Sequence, residues 1–320
     1  MTSHSRGDAP GLGIAAILAG MLAMSINDML VKLLAGDYPL YQIVFLRSCV
    51  GVTVALTILR IEGGFALLKS PLWRLLLVRG LLTTMVNMLF FSAIVVLPLA
   101  EVTALFFIAP LFSTVLSIPL LGEKVGIMRW LAVIAGLAGV MVMVRPGTEL
   151  FTWVVLLPMA GAMLYSMVNL LARHVGLREK ASVMAVYTQT IFAAVSGLSG
   201  LAFGDGRFDD GAGGTLEFLL RAWTWMPPRD LALVVLCGVM SGLVAYSVTQ
   251  AYRLAAISIV APFEYASLPM AIFWGWLFWS EFPDLYGMIG IVLIVAAGIV
   301  TVWREARLKR AGLGKVRPAR

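Results

Sequence analysis

The chain is poor in the residues that build metal centres, disulfides and many enzyme active sites. It has two cysteines and two histidines among 320 residues. Cys49 and Cys237 each lie inside an apolar run, which argues against a disulfide framework and favours buried packing. His4 lies in the polar N-terminal stretch and His174 at the end of an apolar run, so neither a metal cluster nor a histidine-based triad is predicted. No phosphate-cradling loop occurs either. We therefore expect a protein without a cofactor that is not an enzyme.

Charge is scarce as well. Only 13% of the residues are charged and 61% are hydrophobic, with a mean hydropathy of +0.95. A soluble domain is about 25% charged, so the composition predicts an all-α integral membrane protein. The net charge of +7 comes mainly from basic residues in short gaps between apolar runs and after Trp303. This placement indicates orientation in a membrane rather than nucleic-acid binding.

Windows of about 19 residues predict transmembrane helices and leave no room for a soluble domain. The longest connection, 204–229, is rich in Gly and Asp and is predicted to be a flexible loop. Ten spans are expected: 12–35, 40–60, 72–96, 99–120, 126–144, 152–171, 182–203, 229–251, 256–279 and 284–303.

The basic residues predict the orientation of these spans. With the N-terminus in the cytoplasm, about eighteen Lys and Arg face the cytoplasm and about four face the other side, as the positive-inside rule requires. Both termini are then cytoplasmic, in a multi-pass protein of the cell inner membrane. The basic tail, 304–320, is expected to contact anionic lipid.

The chain contains an internal repeat. A shift of 158 residues lays Glu101 on Ile259, Glu123 on Glu281 and Gly80 on Gly238; a shift of 141 lays Asp28 on Asn169. We therefore expect two five-helix halves, 12–144 and 152–303. An odd number of spans inverts the second half, and inverted repeats in transporters enclose a site near the membrane midplane.

These features resemble the EamA-type drug/metabolite transporter superfamily over nearly the whole chain. The resemblance rests on the glutamates of Leu120–Lys124 and Trp279–Asp284 and on the ValArgPro at Val144–Pro146. Ser25–Lys32, Arg79–Leu82 and Ala261–Leu268 are most similar to members that carry S-adenosylmethionine or riboflavin. The S-adenosylmethionine members carry Arg where Glu264 stands here. The resemblance implies a secondary transporter with a small-molecule substrate, and export or exchange of amino acids or drugs is the alternative within the superfamily.

Glu264 is the first candidate for a substrate or proton site. It lies roughly 12 Å into the ninth span, by the rise of a helix, between Pro262 and Pro269. A carboxylate at such depth is costly in lipid and is therefore expected to face protein or water. Arg79 lies at a similar depth and is predicted to pair with it.

Other polar residues inside the spans are expected to line the path or to gate it. Asp28 and Arg47 lie at comparable depth and can pair, with Lys32 competing for the carboxylate. Static ion pairs that hold helices together are the alternative interpretation. Further candidates for substrate contact, at or near the middle of the membrane, are Asn87, Tyr165, Tyr246 and Tyr265.

The fifth span of each half is rich in glycine. The glycines of the fifth span of each half, Gly136 and Gly139 with Gly287 and Gly290, permit close helix contact and predict packing or homodimer surfaces. A membrane scaffold or receptor that transports nothing is the alternative from another class, and it would lack a cavity between the halves.

Overall fold

The computed structural model describes residues 10–121, 127–147, 152–175, 179–209, 214–255 and 257–310, and all regular structure in these ranges is helical. Short 3-10 segments lie at Phe65–Leu68, Trp153–Val155 and Ala261–Ala266. The α-helices are α1 Pro10–Leu34, α2 Leu40–Glu62, α3 Trp73–Ile94, α4 Leu99–Phe106, α5 Ala109–Leu121, α6 Ile127–Val144, α7 Leu156–Val175, α8 Ala181–Phe203, α9 Gly214–Leu220, α10 Pro228–Leu254, α11 Ile257–Val260, α12 Ser267–Trp279 and α13 Leu285–Arg310.

Within the described residues, six helical segments are long and apolar enough to cross a membrane: Gly11–Leu34, Leu40–Glu62, Trp73–Ile94, Leu99–Leu116, Ala181–Phe203 and Pro228–Tyr252. The 23 residues of α2 span about 34 Å at the rise of an α-helix, against a hydrocarbon core of about 30 Å. Many large apolar side chains point outward, for example Leu198 at 67% and Leu201 at 84% exposure. Lipid solvates such a surface, so the chain is a multi-pass membrane protein.

Two of the predicted spans are broken: the first was expected to be continuous, whereas an interruption of the second was expected from its prolines. The predicted span 99–120 is interrupted between α4 and α5 at residues 107–108. The predicted span 256–279 is divided into α11, the 3-10 segment Ala261–Ala266 and α12. Pro110 lies just after the first break, and Pro262 lies within the second. Because proline lacks an N–H and clashes with the preceding turn, it destabilises a continuous α-helix at both places.

The main helix contacts join helices of the N-terminal half of the chain to helices of the C-terminal half. Helix α2 packs on α8, α3 on α7 and α8, α10 on α1 and α2, and α6 on α13. Close approach depends on glycine at several of these contacts. A Cβ on Gly80 would collide with Ile191, and one on Gly238 would collide with Val50.

Helices α6 and α13 meet backbone to backbone. A Cβ on Gly139 would lie 2.9 Å from the carbonyl oxygen of Gly290 and 2.9 Å from Cβ of Leu293. A Cβ on Gly290 would lie 2.6 Å from the carbonyl oxygen of Gly139. This pair forms a tight seam between α6 and α13.

Replacing Gly139 with Ala is expected to destabilise the protein by about 1–3 kcal/mol, because overpacking a close contact forces the two backbones apart. The measurement is the apparent melting temperature of the detergent-purified protein. Gly11→Ala is the matched control, since nothing lies within 4 Å of a Cβ at that helical position. Equal melting temperatures for the two variants would contradict a tight seam.

The 204–229 connection differs from its prediction as a flexible loop. It contains α9, and its second part lies on the ends of α1 and α2. The hydroxyl of Tyr41 donates to the carbonyl of Arg221 at 2.7 Å, and the side-chain amide of Gln42 donates to the carbonyl of Thr224 at 2.6 Å. The prediction rested on the Gly and Asp residues of its first part. The second part is held by an aromatic and an amide side chain of α2, which are distant in sequence and so did not enter the prediction.

Two predictions fall on residues outside the described ranges. These are Glu123, which the repeat aligns with Glu281, and positions 311–320 of the basic tail.

Candidate functional site

A buried polar cluster connects α1, α2 and α10. The guanidinium of Arg47 donates to the side-chain oxygen of Asn27 at 2.8 Å, and the amide nitrogen of Asn27 donates to Asp28 at 3.0 Å. The thiol of Cys237 lies 3.2 Å from the same Asn27 oxygen. The predicted Asp28–Arg47 pair is therefore indirect, because Asn27 lies between the two charges and forms a hydrogen bond with each of them. We call Asn27, Asp28, Arg47 and Cys237 the Arg47 cluster.

Arg47 is enclosed by aromatic rings. Its exposure is 1%, and its guanidinium carbon lies 4.8 Å from the ring centre of Phe91 and 5.9 Å from that of Phe192. Its second terminal nitrogen is 3.5 Å from the side-chain oxygen of Asn87, and its Nε has no hydrogen-bond partner. Such stacking stabilises a guanidinium away from water.

Lys32 does not compete for Asp28. Its ammonium donates to Glu281 at 2.6 Å and to the carbonyl of Leu97 at 3.1 Å, and it lies 5.0 Å from the ring centre of Trp279. The pair joins the end of α1 to the loop after α12. It lies at the α1–α2 end of the bundle, by which we mean the end that holds residues 35–39, 95–98, 221–227 and 280–284.

A second ion pair lies at the same end. Arg145 donates to Asp284, and Asp284 also accepts from the backbone N–H of Gly287 at 2.8 Å. The hydrogen bond from Arg145 and that from Gly287 hold the pKa of Asp284 below its usual value. The two ion pairs give the α1–α2 end electrostatic contacts between the end of α6, the end of α1 and the 280–284 loop.

Glu264 lies in the 3-10 segment and is held by α10. The hydroxyl of Tyr252 donates to its carboxylate at 2.6 Å. The predicted pair with Arg79 is not formed, and neither residue makes an ion pair with any other part of the described chain. Depth along a helix does not fix the side of the bundle on which each residue lies.

Helix α3 presents a polar stripe toward the interior. Arg79, Thr83 and Asn87 follow one another at a spacing of four residues, and Asn87 reaches Arg47 on α2. The lipid-facing residues of the same helix, Val78, Leu81 and Met85, are 47–53% exposed and lie on its opposite side. The stripe residues are only partly buried although they face inward. They therefore form a polar face of α3 that is turned away from lipid.

The predicted tyrosines lie in three different places. Tyr165 packs on Phe106, with ring centres 5.3 Å apart. Tyr265 stacks on Phe107 at 4.5 Å, and its hydroxyl, which has no hydrogen-bond partner, lies against Gly298. The hydroxyl of Tyr246 donates to Glu62 at 3.0 Å. Tyr165 and Tyr265 thus pack on aromatic rings, whereas Tyr246 binds a carboxylate.

Tyr246 belongs to a group of contacts at the α2–α3 end, by which we mean the end that holds residues 63–72 and 179–180. Glu62 is the last residue of α2, and its carboxylate accepts hydrogen bonds from the hydroxyl of Tyr246 and, at 2.6 Å, from the hydroxyl of Ser182. Its backbone carbonyl accepts a hydrogen bond from the ammonium of Lys180 at 2.6 Å. Ser70 donates to Glu179 at 2.5 Å. These contacts tie α2 and the following loop to α8 and α10.

Sequence reasoning did not identify Asn27, Tyr252 or Glu62 as partners. Asn27 directly precedes Asp28 in the same span, so a polar neighbour of that carboxylate was visible in the sequence. Tyr252 is twelve residues from Glu264 on another helix, and no spacing rule connects the two. Glu62 closes a span and resembles an ordinary interfacial charge until the fold brings α8 and α10 against it.

Comparison with known proteins agrees with this arrangement. Residues 11–145 match the EamA-like transporter family. A solved crystal structure superposes on 95% of this chain and 100% of its own, with a TM-score of 0.62 and 21% sequence identity. At that identity the likeness shows the fold alone.

Named relatives cover much of the chain. An S-adenosylmethionine uptake transporter of Rickettsia prowazekii is 24% identical, over 92% of this chain and 94% of its own. A riboflavin transporter of Rhizobium johnstonii is 29% identical, over 68% and 67%. A pseudopaline exporter of Pseudomonas aeruginosa is 27% identical, over 90% and 94%. Residues 11–145 are thus similar to the EamA-like transporter family, and these relatives are all named as transporters.

Proposed function

We propose that the protein is a secondary-active transporter that moves a small organic metabolite across the inner membrane by alternating access between two inverted halves. The observation that carries the proposal is the polar stripe of Arg79, Thr83 and Asn87, turned away from lipid and only partly buried. Charged side chains inside a membrane are costly and are typical of solute pathways.

Helix boundaries support two five-helix halves within a ten-helix protein. Helices α5 and α12 begin at Ala109 and Ser267, and α6 and α13 at Ile127 and Leu285, which is the same shift of 158 residues in both cases. Helices α2 and α8 begin at Leu40 and Ala181, a shift of 141. The breaks near Phe107 and Tyr265 also coincide under the first shift.

Reciprocal contacts support the two-fold relation between these halves. Gly80 of α3 meets Ile191 of α8, and the equivalent residues, Gly238 of α10 and Val50 of α2, meet each other. In a two-fold contact, residue i touches j while the copy of j touches the copy of i. The rings of Phe107 and Tyr265, which the repeat makes equivalent, stack on one another, as expected for residues at a two-fold axis.

The orientation follows from the basic residues. With both termini in the cytoplasm, the α2–α3 end faces the cytoplasm and the α1–α2 end faces outward. The Lys32–Glu281 pair is then an outer tie, and the contacts of Glu62 are inner ties. Alternating access requires the contacts at one end of the bundle to break while those at the other end stay formed.

Breaking the outer tie should expose Cys237, which is fully buried beneath Asn27. In a Cys49→Ser background, Lys32→Met is expected to raise the rate at which a membrane-impermeant thiol reagent modifies Cys237 by at least about fivefold, the lower range of coupling between conformational states. Arg207→Met is the control, since its ion pair with Asp205 is exposed. Equal rates in the two variants would contradict an outer gate at Lys32.

The names of the relatives suggest the substrate. Uptake of S-adenosylmethionine or riboflavin and export of pseudopaline are functions of those proteins. For this chain we propose an S-adenosylmethionine-like solute or riboflavin, with export or exchange of amino acids or drugs as the competing function in the same superfamily.

Counterflow in proteoliposomes tests transport directly. Vesicles loaded with unlabelled S-adenosylmethionine, riboflavin or an amino-acid mixture are diluted into the corresponding labelled compound. We expect transient accumulation of at least one label above that in protein-free vesicles. A flat signal for every compound, in vesicles that contain correctly folded protein, would leave a scaffold or receptor as the better description.

A further inference from the structure

A groove runs along the outer surface of α2 near the α2–α3 end. It has a volume of about 390 Å³ and is lined by Thr53, Leu56, Thr57, Arg60, Ile61 and Phe65. The first five lie on one face of α2, because residues three and four apart are neighbours on a helix. Phe65 comes from the 3-10 segment that follows. From Thr53 to Ile61 the helix rises about 12 Å, which is most of the roughly 15 Å depth of one leaflet, half of the hydrocarbon core.

The groove is open on the side of α2 that faces lipid. Ile61 is 82% exposed and Phe65 is 50% exposed. The two threonines present no free donor, because their hydroxyls donate to the carbonyls of Cys49 and Thr53 at 3.1 and 2.8 Å. An apolar chain can therefore lie in the groove without leaving a hydroxyl donor unpaired.

Arg60 supplies a positive charge at one end of this groove. Its guanidinium carbon lies 5.9 Å from the ring centre of Phe65, and it forms no ion pair with the described residues. A guanidinium binds a phosphate through two parallel hydrogen bonds and tolerates an aromatic ring beside it. A phosphate group therefore complements the charge that the groove presents.

The carboxylates at this end are directed elsewhere. Two residues along an α-helix turn by about 200°, so Glu62 points away from Arg60 and binds hydroxyls on α8 and α10. Glu179 accepts from Ser70 at 2.5 Å. Neither lines the groove, so the groove offers no acid to the ammonium group of a zwitterionic lipid. This arrangement favours a headgroup with a net negative charge.

We propose that the groove is a binding site for an anionic phospholipid, whose phosphate binds Arg60 and one of whose acyl chains lies along Thr53–Ile61. The affinity of such a ligand comes from buried apolar area together with charge attraction. In the orientation proposed above, the lipid belongs to the cytoplasmic leaflet, whose anionic headgroups attract basic residues. The site lies on the outside of the bundle and does not depend on transport.

Native mass spectrometry of the delipidated full-length protein in detergent tests the site. Phosphatidylglycerol and phosphatidylcholine with identical acyl chains are titrated in parallel. We expect phosphatidylglycerol to bind at least about fivefold more tightly, which is the effect of one basic residue near an anionic headgroup. Glycerol phosphate at the same concentration should not displace it, because it lacks the acyl chains that the groove holds.

Variants separate the headgroup contact from the chain contact. Arg60→Gln should reduce the preference for phosphatidylglycerol to less than about twofold, because the phosphate has lost its cation. Thr57→Phe fills the groove and leaves the charge unchanged, so it should weaken both lipids alike. Arg74→Gln removes an exposed cation of the same end, which stacks on Trp73 and does not line the groove, and it should behave as wild type. The melting temperature of each variant shows that it is folded.

Four outcomes would overturn the proposal. Equal affinity of the wild type for the two lipids would remove the charge preference, and unchanged lipid binding to folded Thr57→Phe would remove the groove. Equal losses in Arg60→Gln and Arg74→Gln would show a general effect of surface charge. Displacement of the lipid by glycerol phosphate would identify a site for soluble phosphate esters instead.

Discussion

Glu264→Gln strongly reduces transport and leaves the fold intact; this is the first result we expect. Gln has nearly the same shape, and its side-chain carbonyl can still accept the hydroxyl of Tyr252, which now donates at 2.6 Å. What the variant loses is the negative charge and the capacity to exchange a proton. Coupling between a bound ion and a conformational state is typically worth 1–3 kcal/mol, so we expect flux to fall by about 5–150-fold.

Flux is measured in proteoliposomes with and without an imposed pH gradient, beside the apparent melting temperature of each variant. Asp205→Asn serves as the control, because that carboxylate is exposed and pairs with exposed Arg207. Wild-type flux in Glu264→Gln under both conditions would remove Glu264 from the transport mechanism. A large fall in melting temperature would instead assign it to folding.

Arg47→Ala should be the most destabilising single substitution proposed for this chain. It removes the donor to Asn27, leaves the charge of Asp28 without its relayed partner and opens a space between Phe91 and Phe192. Removing one partner of a buried charged network typically costs about 3–5 kcal/mol. Arg47→Lys should recover only part of the loss, because an ammonium cannot bridge Asn27 and Asn87 as the planar guanidinium does.

Unfolding in detergent measures the effect of Arg47→Ala. Arg207→Ala is the reference, and its exposed ion pair should contribute less than about 1 kcal/mol. A loss in Arg47→Ala no larger than that of the reference would mean that the Arg47 cluster does not stabilise the folded state.

Much of the fold could be predicted because apolar length determines where a chain can cross a membrane. The predicted spans 40–60 and 182–203 fall within or close to α2, Leu40–Glu62, and α8, Ala181–Phe203. The break between α4 and α5 was not predicted. A hydropathy profile averages over about 19 residues, so it does not detect two residues that leave the helix. The presence of Pro110 did not predict the break either, because a single proline is often tolerated in membrane helices.

The site was predictable in depth but not in direction. Position along a span gives the level of a side chain, which correctly put Asp28 and Arg47 at one level. The direction of a side chain around its helix axis depends on how the helices pack, and that comes from contacts such as Gly80 with Ile191. For this reason Arg79 and Glu264 were wrongly paired, and Asn27 was overlooked between two charges that both need it.

The glycine seam between α6 and α13 has a consequence for motion. Gly139 and Gly290 touch through their backbones, so these helices cannot approach further, and they are the last helix of each proposed half. The ties at the two ends of the bundle are side-chain hydrogen bonds and ion pairs, which can break and reform within a conformational cycle. In the alternating-access cycle that we propose, rocking of the halves would pivot on the seam as a hinge, and the largest displacements would occur on the side farthest from it.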